Sequence, residues 1–257
     1  MIKDKIKKMK EQAYFLEEIA ANGHVALNVM QYDGWLLRFS EGFTGRANSI
    51  SVIYPSRKGI EEKVAYCEKC YAKQGLPTLF KLTEYDTELS NYLEKRGYKV
   101  VTPTDVMILD LEKTDLAADM SECVFAEKPQ EWLPAYFEFE NRKGKEQELF
   151  RQIVDKVVVD TIYCTVMKDG KPAACASTAS EQGYVLLHNV VVDPAQRGQG
   201  LGEKLCRAIL AKAKEDGARY AYLQVVQGNN VALNLYRKLG FEKVYTYWYM
   251  KQVNREQ

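Results

Sequence analysis

The chain has 257 residues, 36 Lys plus Arg against 35 Asp plus Glu, and 46% hydrophobic residues. A formal charge of +1 excludes a phosphate-binding surface spread over the whole protein, and the apolar fraction excludes disorder as the main state. No apolar run approaches the ~18 residues of a membrane helix, the N-terminus has no signal-peptide core, and six scattered cysteines make no disulfide scaffold, so the expectation is a cytoplasmic protein of one large or two small domains, with no membrane or nucleic-acid partner.

The first twenty residues read as an amphipathic helix, with Ile2, Ile6, Met9, Ala13, Leu16 and Ala20 on one stripe and most lysines between them. A solvated face on a docked helix accounts for those lysines better than a membrane-surface helix. Residues 35–54 take on strand texture: Trp35, Leu37 and Phe39 alternate with Leu36, Arg38 and Ser40, and Ile50, Val52 and Tyr54 alternate up to Pro55. The turn-rich stretch 42–49 between them has no chemistry that its residues reveal. A helix is predicted over Ile60–Lys73 with Gly75 beyond it, a strand over 78–83, a helix over 87–96 stopped by Gly97, and a strand over 100–111 interrupted by Pro103. The polar residues 112–115 and 119–122 mark a domain boundary, dividing the chain into 1–117 and 118–257.

Helices are predicted over 131–139 and 146–159. A strand over 161–168 turns at Asp169-Gly170, a strong hairpin signal, into a strand over 172–180. Tyr184–Val192 is the most apolar strand. A helix over 201–216 with Leu201, Leu205, Ala208 and Ile209 inward ends at Gly217; a strand over 220–225, a helix over 231–239 and a strand over 244–250 complete the chain. Parts of this pattern repeat. Gly75 and Gly217 each end a helix before a strand, 217 − 75 = 142 apart, and residues 89–98 resemble 232–241 around Gly97 and Gly240, 240 − 97 = 143 apart. The near-equal offsets point to a duplicated helix–strand–helix–strand unit.

The most informative stretch is Val190-Val191-Val192-Asp193-Pro194-Ala195-Gln196-Arg197-Gly198-Gln199-Gly200-Leu201-Gly202. A buried strand runs into a turn with three glycines that opens a helix. Backbone N–H groups can converge there, and the helix start adds unpaired donors and partial positive charge, a combination suited to phosphate or pyrophosphate. The dinucleotide fingerprint fails at Glu203 and the P-loop fails at Lys204-Leu205.

These residues resemble the GNAT superfamily of N-acetyltransferases, whose signature Gln/Arg-x-x-Gly-x-Gly/Ala is met by Arg197, Gly198, Gln199, Gly200, Leu201 and Gly202 after Val-Val-Asp-Pro. A second family pattern is met by Asn229, Ala232, Leu235, Tyr236, Gly240 and Phe241. The two matches cover roughly residues 120–250. The first half resembles the family weakly, as the degenerate member of tandem-GNAT proteins. The resemblance implies an α/β (α+β) fold of two tandem GNAT-like domains, each a mixed, mostly antiparallel twisted sheet flanked by helices, with a splayed central strand at an acetyl-CoA site.

It further implies that Gly198 to Gly202 cradle the coenzyme A pyrophosphate, that the main chain of Val190, Val191 and Val192 runs beside the pantetheine arm and offers an oxyanion donor, and that Tyr236 is the general acid. On helix pattern alone Tyr236 reads as a core aromatic; its spacing from Asn229 and the upstream glycine turn point instead to the catalytic role. Asn229 would contact the cofactor or cap its helix. Where some members carry a catalytic Glu this chain has Gln224, which cannot accept a proton; His188 is a substitute base on the neighbouring strand, or else a satisfied core residue. Glu138 and Glu140 are weaker candidates for holding a cationic substrate. The first half has Leu93 in place of Tyr236 and Tyr54-Pro55-Ser56-Arg57-Lys58-Gly59 in place of the glycine turn. One acetyl-CoA site is therefore expected. The first half would support the fold, shape the acceptor pocket or mediate a homodimer.

Cys67-Glu68-Lys69-Cys70 lies inside a predicted helix without a second ligand pair and reads as packed thiols, so no metal is expected. Of the seventeen tyrosines, Tyr245, Tyr247 and Tyr249 crowd the last strand beside Trp248, lining either a pocket or a packed face. The expected activity is acetyl transfer from acetyl-CoA to a small-molecule or peptide amine by direct attack, without an acyl-enzyme. The alternative is a non-catalytic acyl-CoA-binding sensor.

Overall fold

The structure, a computed structural model, describes residues 2–252, with the side chains of residues 2 and 3 outside the description. The chain runs α1 (Ile2–Gly23), β1 (Asn28–Tyr32), β2 (Trp35–Phe39), β3 (Ile50–Val52), α2 (Ile60–Lys73), β4 (Leu79–Thr83), α3 (Thr87–Lys95), β5 (Tyr98–Asp110) and β6 (Cys123–Ala126). It continues through α4 (Pro129–Phe139), α5 (Lys145–Asp155), β7 (Asp160–Lys168), β8 (Lys171–Glu181), β9 (Tyr184–Val192), α6 (Leu201–Glu215), β10 (Tyr220–Val226), α7 (Asn230–Lys238) and β11 (Glu242–Gln252). The architecture is mixed α/β.

Two compact units form, one from the chain up to Asp105 together with the stretch from Val244 onward, the other from Val106–Lys243. This differs from a contiguous split at 117/118. The division near the middle falls inside β5, and β11 pairs antiparallel with β4, placing Tyr247 opposite Thr83 and Lys251 opposite Leu79. Cross-strand side-chain pairs stabilise a sheet whatever their separation along the chain, so residues near 250 can complete a sheet begun near 30.

In the first unit the strands lie in the order β1-β2-β3-β4-β11-β5. The hairpin β1–β2 turns at Asp33 (φ 43°) and Gly34 (φ 81°), β3 runs antiparallel to β2, and β3 and β4 are parallel with α2 as crossover. Trp35, Leu37, Ile50, Phe80, Leu82 and Met250 form a core with Val64, Cys67 and Tyr71 of α2 and Leu89 and Leu93 of α3. Cys67 is buried and Cys70 half-buried, both as free thiols, and burial pushes the Cys67 thiol up to about 12. On α1 the buried stripe begins at Ala13 and Leu16. Ile6 (52% exposed) and Met9 (39% exposed), expected on that stripe, face solvent. The side chain of Ile2 lies outside the described residues.

The tyrosines of β11 find partners in this unit. Tyr245 donates to Glu17 at 2.9 Å, the Lys81 ammonium sits 3.9 Å from the centre of the Tyr247 ring, and Tyr249 packs against Gly45, where a Cβ would lie 3.3 Å from the ring. They are a packed sheet face. The turn-rich stretch is built around Asn48, which accepts from the N–H groups of Ser40 and Gly42 and donates to Thr44 O.

The second unit repeats this order. Hairpin β7–β8 is followed by antiparallel β9, then by parallel β10 with α6 as crossover, then by α7. Its sheet runs β5-β10-β9-β8-β7-β6. Leu205, Ile209 and Ala213 of α6 pack on Cys164, Val166, Ala174, Ala176, Val185 and Leu187. The offset of 143 that relates Gly97 to Gly240 carries α3 onto α7 residue for residue (87 + 143 = 230, 95 + 143 = 238). Among the described residues no helix is long and apolar enough to cross a membrane.

Candidate functional site

The site is built where β9 and β10 part. Their parallel pairing covers Tyr184 to Leu186 opposite Tyr220 to Tyr222, after which β9 runs on to Val192 and β10 to Val226. Along its other edge β9 stays paired to β8 but slips: Ser177 faces His188 and Cys175 faces Val191, so two steps on β8 match three on β9. The extra residue is a β-bulge, and Asn189 there adopts a left-handed φ of 53°. The bulge bends the strand just before Val190, Val191 and Val192. Val190 and Val192 pack partly on the unit's core and Val191 is buried, so a ligand beside this stretch would meet main chain. Crevices at the carboxyl ends of parallel strands are the general ligand sites of open α/β sheets.

The turn after β9 opens with Asp193, whose carboxylate accepts from Ala195 N at 2.9 Å, and passes through a short 3₁₀ turn, Pro194–Gln196. The three glycines then divide their work. Gly198 (φ 78°) and Gly200 (φ 77°) hold left-handed backbone, and a Cβ on either would meet nothing within 4 Å. Gly202 is different: a Cβ there would lie 3.4 Å from Leu235 and 3.6 Å from Val192, so it serves close packing of α6 on α7 and β9. Gly200 caps α6 with left-handed backbone and no side chain, its carbonyl accepting from Glu203 N and Lys204 N at 3.1 Å. Arg197, Gln199 and Gly198 are exposed, and Leu201 is buried as the first helical anchor.

Charge at this turn is arranged by residues that the sequence patterns missed. Lys168, at the end of β7, donates to Gln199 Oε1 and, at 3.4 Å, to Gln196 Oε1. Glu203, an acid in the first turn of α6, is bonded by Lys238 and Arg207, and these cations hold its carboxyl below the usual range. An acid that would repel an anion at the helix start is thereby neutralised. The position of Lys168 beside Asp169-Gly170 was a usable signal, since a hairpin tip next to the turn must place its flanking side chain there.

Asn229 caps α7, its Oδ1 accepting from Ala232 N at 3.2 Å. Tyr236, on the same helix, is 8% exposed, lies edge-on to Phe241 with ring centres 5.9 Å apart, and packs in the core cluster that includes Cys206. Burial, with a smaller contribution from the Cys206 sulfur, raises its phenol well above the ordinary value, so it is protonated at neutral pH. His188 is half-buried opposite Ser177, and Gln224 is half-buried on β10 past the last paired residue. Glu138 is exposed on α4. Glu140 caps its C-terminus 3.4 Å from Arg142 and acts on Cys175, the cross-strand partner of Val191: burial raises the Cys175 thiol, and the Glu140 carboxylate raises it further. Beside the bulge, α4 and α5 contribute an aromatic stack in which Tyr136 lies 4.5 Å from Trp132 and 4.8 Å from Phe150.

The equivalent turn of the first unit is closed by its own chain. A cavity of about 600 Å³ lies there, lined by Tyr14, Trp35, Tyr54, Lys58 and Asp86 among others. The N–H groups of Arg57 and Lys58 that could face an anion instead donate to the Asp33 carboxylate, at 3.0 and 2.8 Å. Lys63, fully buried, bonds Asp33 O and Ser56 Oγ behind it. These bonds hold the Asp33 carboxyl below its usual range. Among the described residues no group of three or more His, Cys, Asp and Glu gathers as metal ligands would.

Comparison with known proteins fits this geometry. The family model described as "Probable histone acetyltransferase Rv0428c C-terminal" matches residues 12–250. The "Uncharacterized N-acetyltransferase YobR" of Bacillus subtilis is 25% identical over 240 residues, covering 91% of this chain and 96% of that protein. The N-alpha-acetyltransferase RimI of Mycobacterium tuberculosis is 41% identical over 58 residues, 23% of this chain and 35% of its own length. In fold, a GCN5-related N-acetyltransferase from Kribbella flavida superposes with a TM-score of 0.68 at 17% identity, covering 96% of this chain and 94% of that one. A tandem GNAT protein from the clavulanic acid biosynthesis pathway superposes with a TM-score of 0.63 at 17% identity over 81% and 76% of the two chains. The chain therefore belongs to the family that the Rv0428c C-terminal model describes, and is an acyltransferase of the GNAT type.

Proposed function

We propose that the protein moves an acetyl group from acetyl-CoA to a primary amine of a small molecule or peptide by direct attack, at one site in the second unit. The observation that carries this reading is the splay of β9 from β10 leading into the open, left-handed turn at Gly198 and Gly200. The open space over both glycines fits a pyrophosphate on N–H groups 198–202, with the Lys168 ammonium beside it. Acetyl-CoA supplies an activated thioester and a thiolate leaving group. The main chain of residues 190–192 orients the acyl arm and offers an N–H to the carbonyl oxygen, a contribution of ~3–4 kcal/mol in other acyl-transfer enzymes. Tyr236 holds a proton at its phenol for the departing sulfur. Its raised affinity for that proton keeps it in the donor form.

Gln224 leaves the base to another group. His188 on β9 is one; Glu140, whose carboxylate acts on Cys175 across from Val191, is a weaker candidate that would attract an ammonium substrate. A non-catalytic acyl-CoA sensor is the second reading, favoured by Gln224 alone. Thiol release from acetyl-CoA over a panel of polyamines, aminoglycosides, amino acids and peptide N-termini separates the two: transfer to any amine, lowered in Tyr236→Phe, supports the enzyme. Binding without transfer supports the sensor. Calorimetric titration should give one coenzyme A per chain.

A further inference from the structure

Asn189 occupies the extra position of the β9 bulge with a left-handed φ of 53°, a conformation that Asn tolerates better than most residues but that still carries a cost. Its side chain is tied on both sides. Asn189 Nδ2 donates to Ser177 Oγ on β8 at 2.8 Å, and the Tyr136 hydroxyl on α4 donates to Asn189 Oδ1 at 3.4 Å. Ser177 is buried on the strand that β9 slips against, and Tyr136 is buried in the stack with Trp132 and Phe150. One amide thus joins the strand across from the bulge to the helix beside it. Burial of Leu187 and Val191 sets the register on either side of Asn189, and the amide adds a side-chain tie at the slipped residue itself.

We infer that Asn189 is a positioning residue: its amide, held by Ser177 and Tyr136, fixes the bulge so that the main chain of Val190 and Val191 meets the acyl group in one orientation. This rests on the acetyl-transfer reading. Asn189 touches no reacting atom, and its contribution is to the turnover step, where a misplacement of about 1 Å can cost up to a hundredfold.

The test uses Asn189→Gly, which keeps the left-handed backbone and deletes the amide, and Ser177→Ala, which deletes the acceptor. Each is assayed with acetyl-CoA and the best amine of the panel. The expected result is a kcat about tenfold or more below wild type, with the KM for acetyl-CoA within about threefold, and a double variant no slower than the worse single. Asn189→Gly with wild-type kcat, or losses that multiply in the double variant, overturns the inference. If the wild type transfers to no amine, the acetyl-transfer reading fails, and backbone ¹⁵N relaxation still decides the tether. Added millisecond exchange at residues 189–191 in both variants supports it, and unchanged relaxation overturns it. If Asn189→Gly does not fold, Ser177→Ala carries both readouts.

Discussion

Gly202 and Leu235 approach so closely that a Cβ on the glycine would lie 3.4 Å from the leucine Cδ2. That is ordinary van der Waals contact for one methyl group and too little room for two. Gly202→Ala, within the helix, should therefore change stability by less than about 1 kcal/mol, since gained helix propensity offsets the tighter fit. Gly202→Val should cost ~1–3 kcal/mol through overpacking. Gly200→Ala, at φ 77° over open space, should cost ~1–2 kcal/mol by backbone strain alone. Urea unfolding of the three variants checks this order; a Gly202→Ala loss as large as that of Gly202→Val would contradict it.

Tyr236 gives a pH signature. Its phenol titrates higher in the folded protein than the ~10 of an exposed tyrosine. A group whose folded value is raised contributes stability that is full below the unfolded value and is lost as the pH rises past it. The urea midpoint should hold between pH 7 and about 9 and fall above about 10. Tyr236→Phe should flatten part of that fall, and a variant with the wild-type alkaline slope would show that the phenol is not buried as described.

Asp33 has the opposite sign. Its carboxyl titrates low because Lys58 N and Arg57 N donate to it and Lys63 lies behind, so its contribution is present above the ordinary value near 4 and is lost as the pH falls through the folded value. Asp33→Asn keeps a residue that accepts φ 43° and removes the charge. It should lower the melting temperature at pH 7, with the difference from wild type shrinking below about pH 4. A constant difference across that range would sink the assignment.

Lys168 joins the glycine turn through Gln196 and Gln199. Lys168→Met should weaken coenzyme A binding by about tenfold at low salt, with the loss shrinking at high salt as screening removes the same interaction from the wild type. Calorimetry at two ionic strengths reads it, and equal affinities at low salt would remove Lys168 from the site.

Much of this was legible. The β9–turn–α6 passage and the α7 motif announce themselves because glycine, proline and an N-capping Asn act locally, within a few residues of where they stand. Other features had no local source. β6, only Cys123–Ala126, is too short for an alternation. β1 is the exception, since Asp33-Gly34 carries the same local hairpin chemistry as Asp169-Gly170 and was a usable signal for it. The partner of β11 was invisible because Tyr247 and Thr83 meet across 164 residues (247 − 83). The bulge at Asn189 hid within an apolar run, since register slips come from pairing with β8 and not from the strand's own composition.

The hairpin tips of the two units are both Asp-Gly, yet different side chains reach the following turn. Beside its tip Lys168 reaches the glycine turn as a cation, through Gln196 and Gln199; Asp33 reaches its turn as an anion and takes the N–H groups of Arg57 and Lys58. A carboxylate fastened to the same chain competes as an intramolecular ligand, at an effective concentration on the order of millimolar or above. Any free phosphate ester would have to displace that tethered competitor. The first half is thus self-saturated at neutral pH, and acid strong enough to protonate Asp33 is the condition under which its turn would come free.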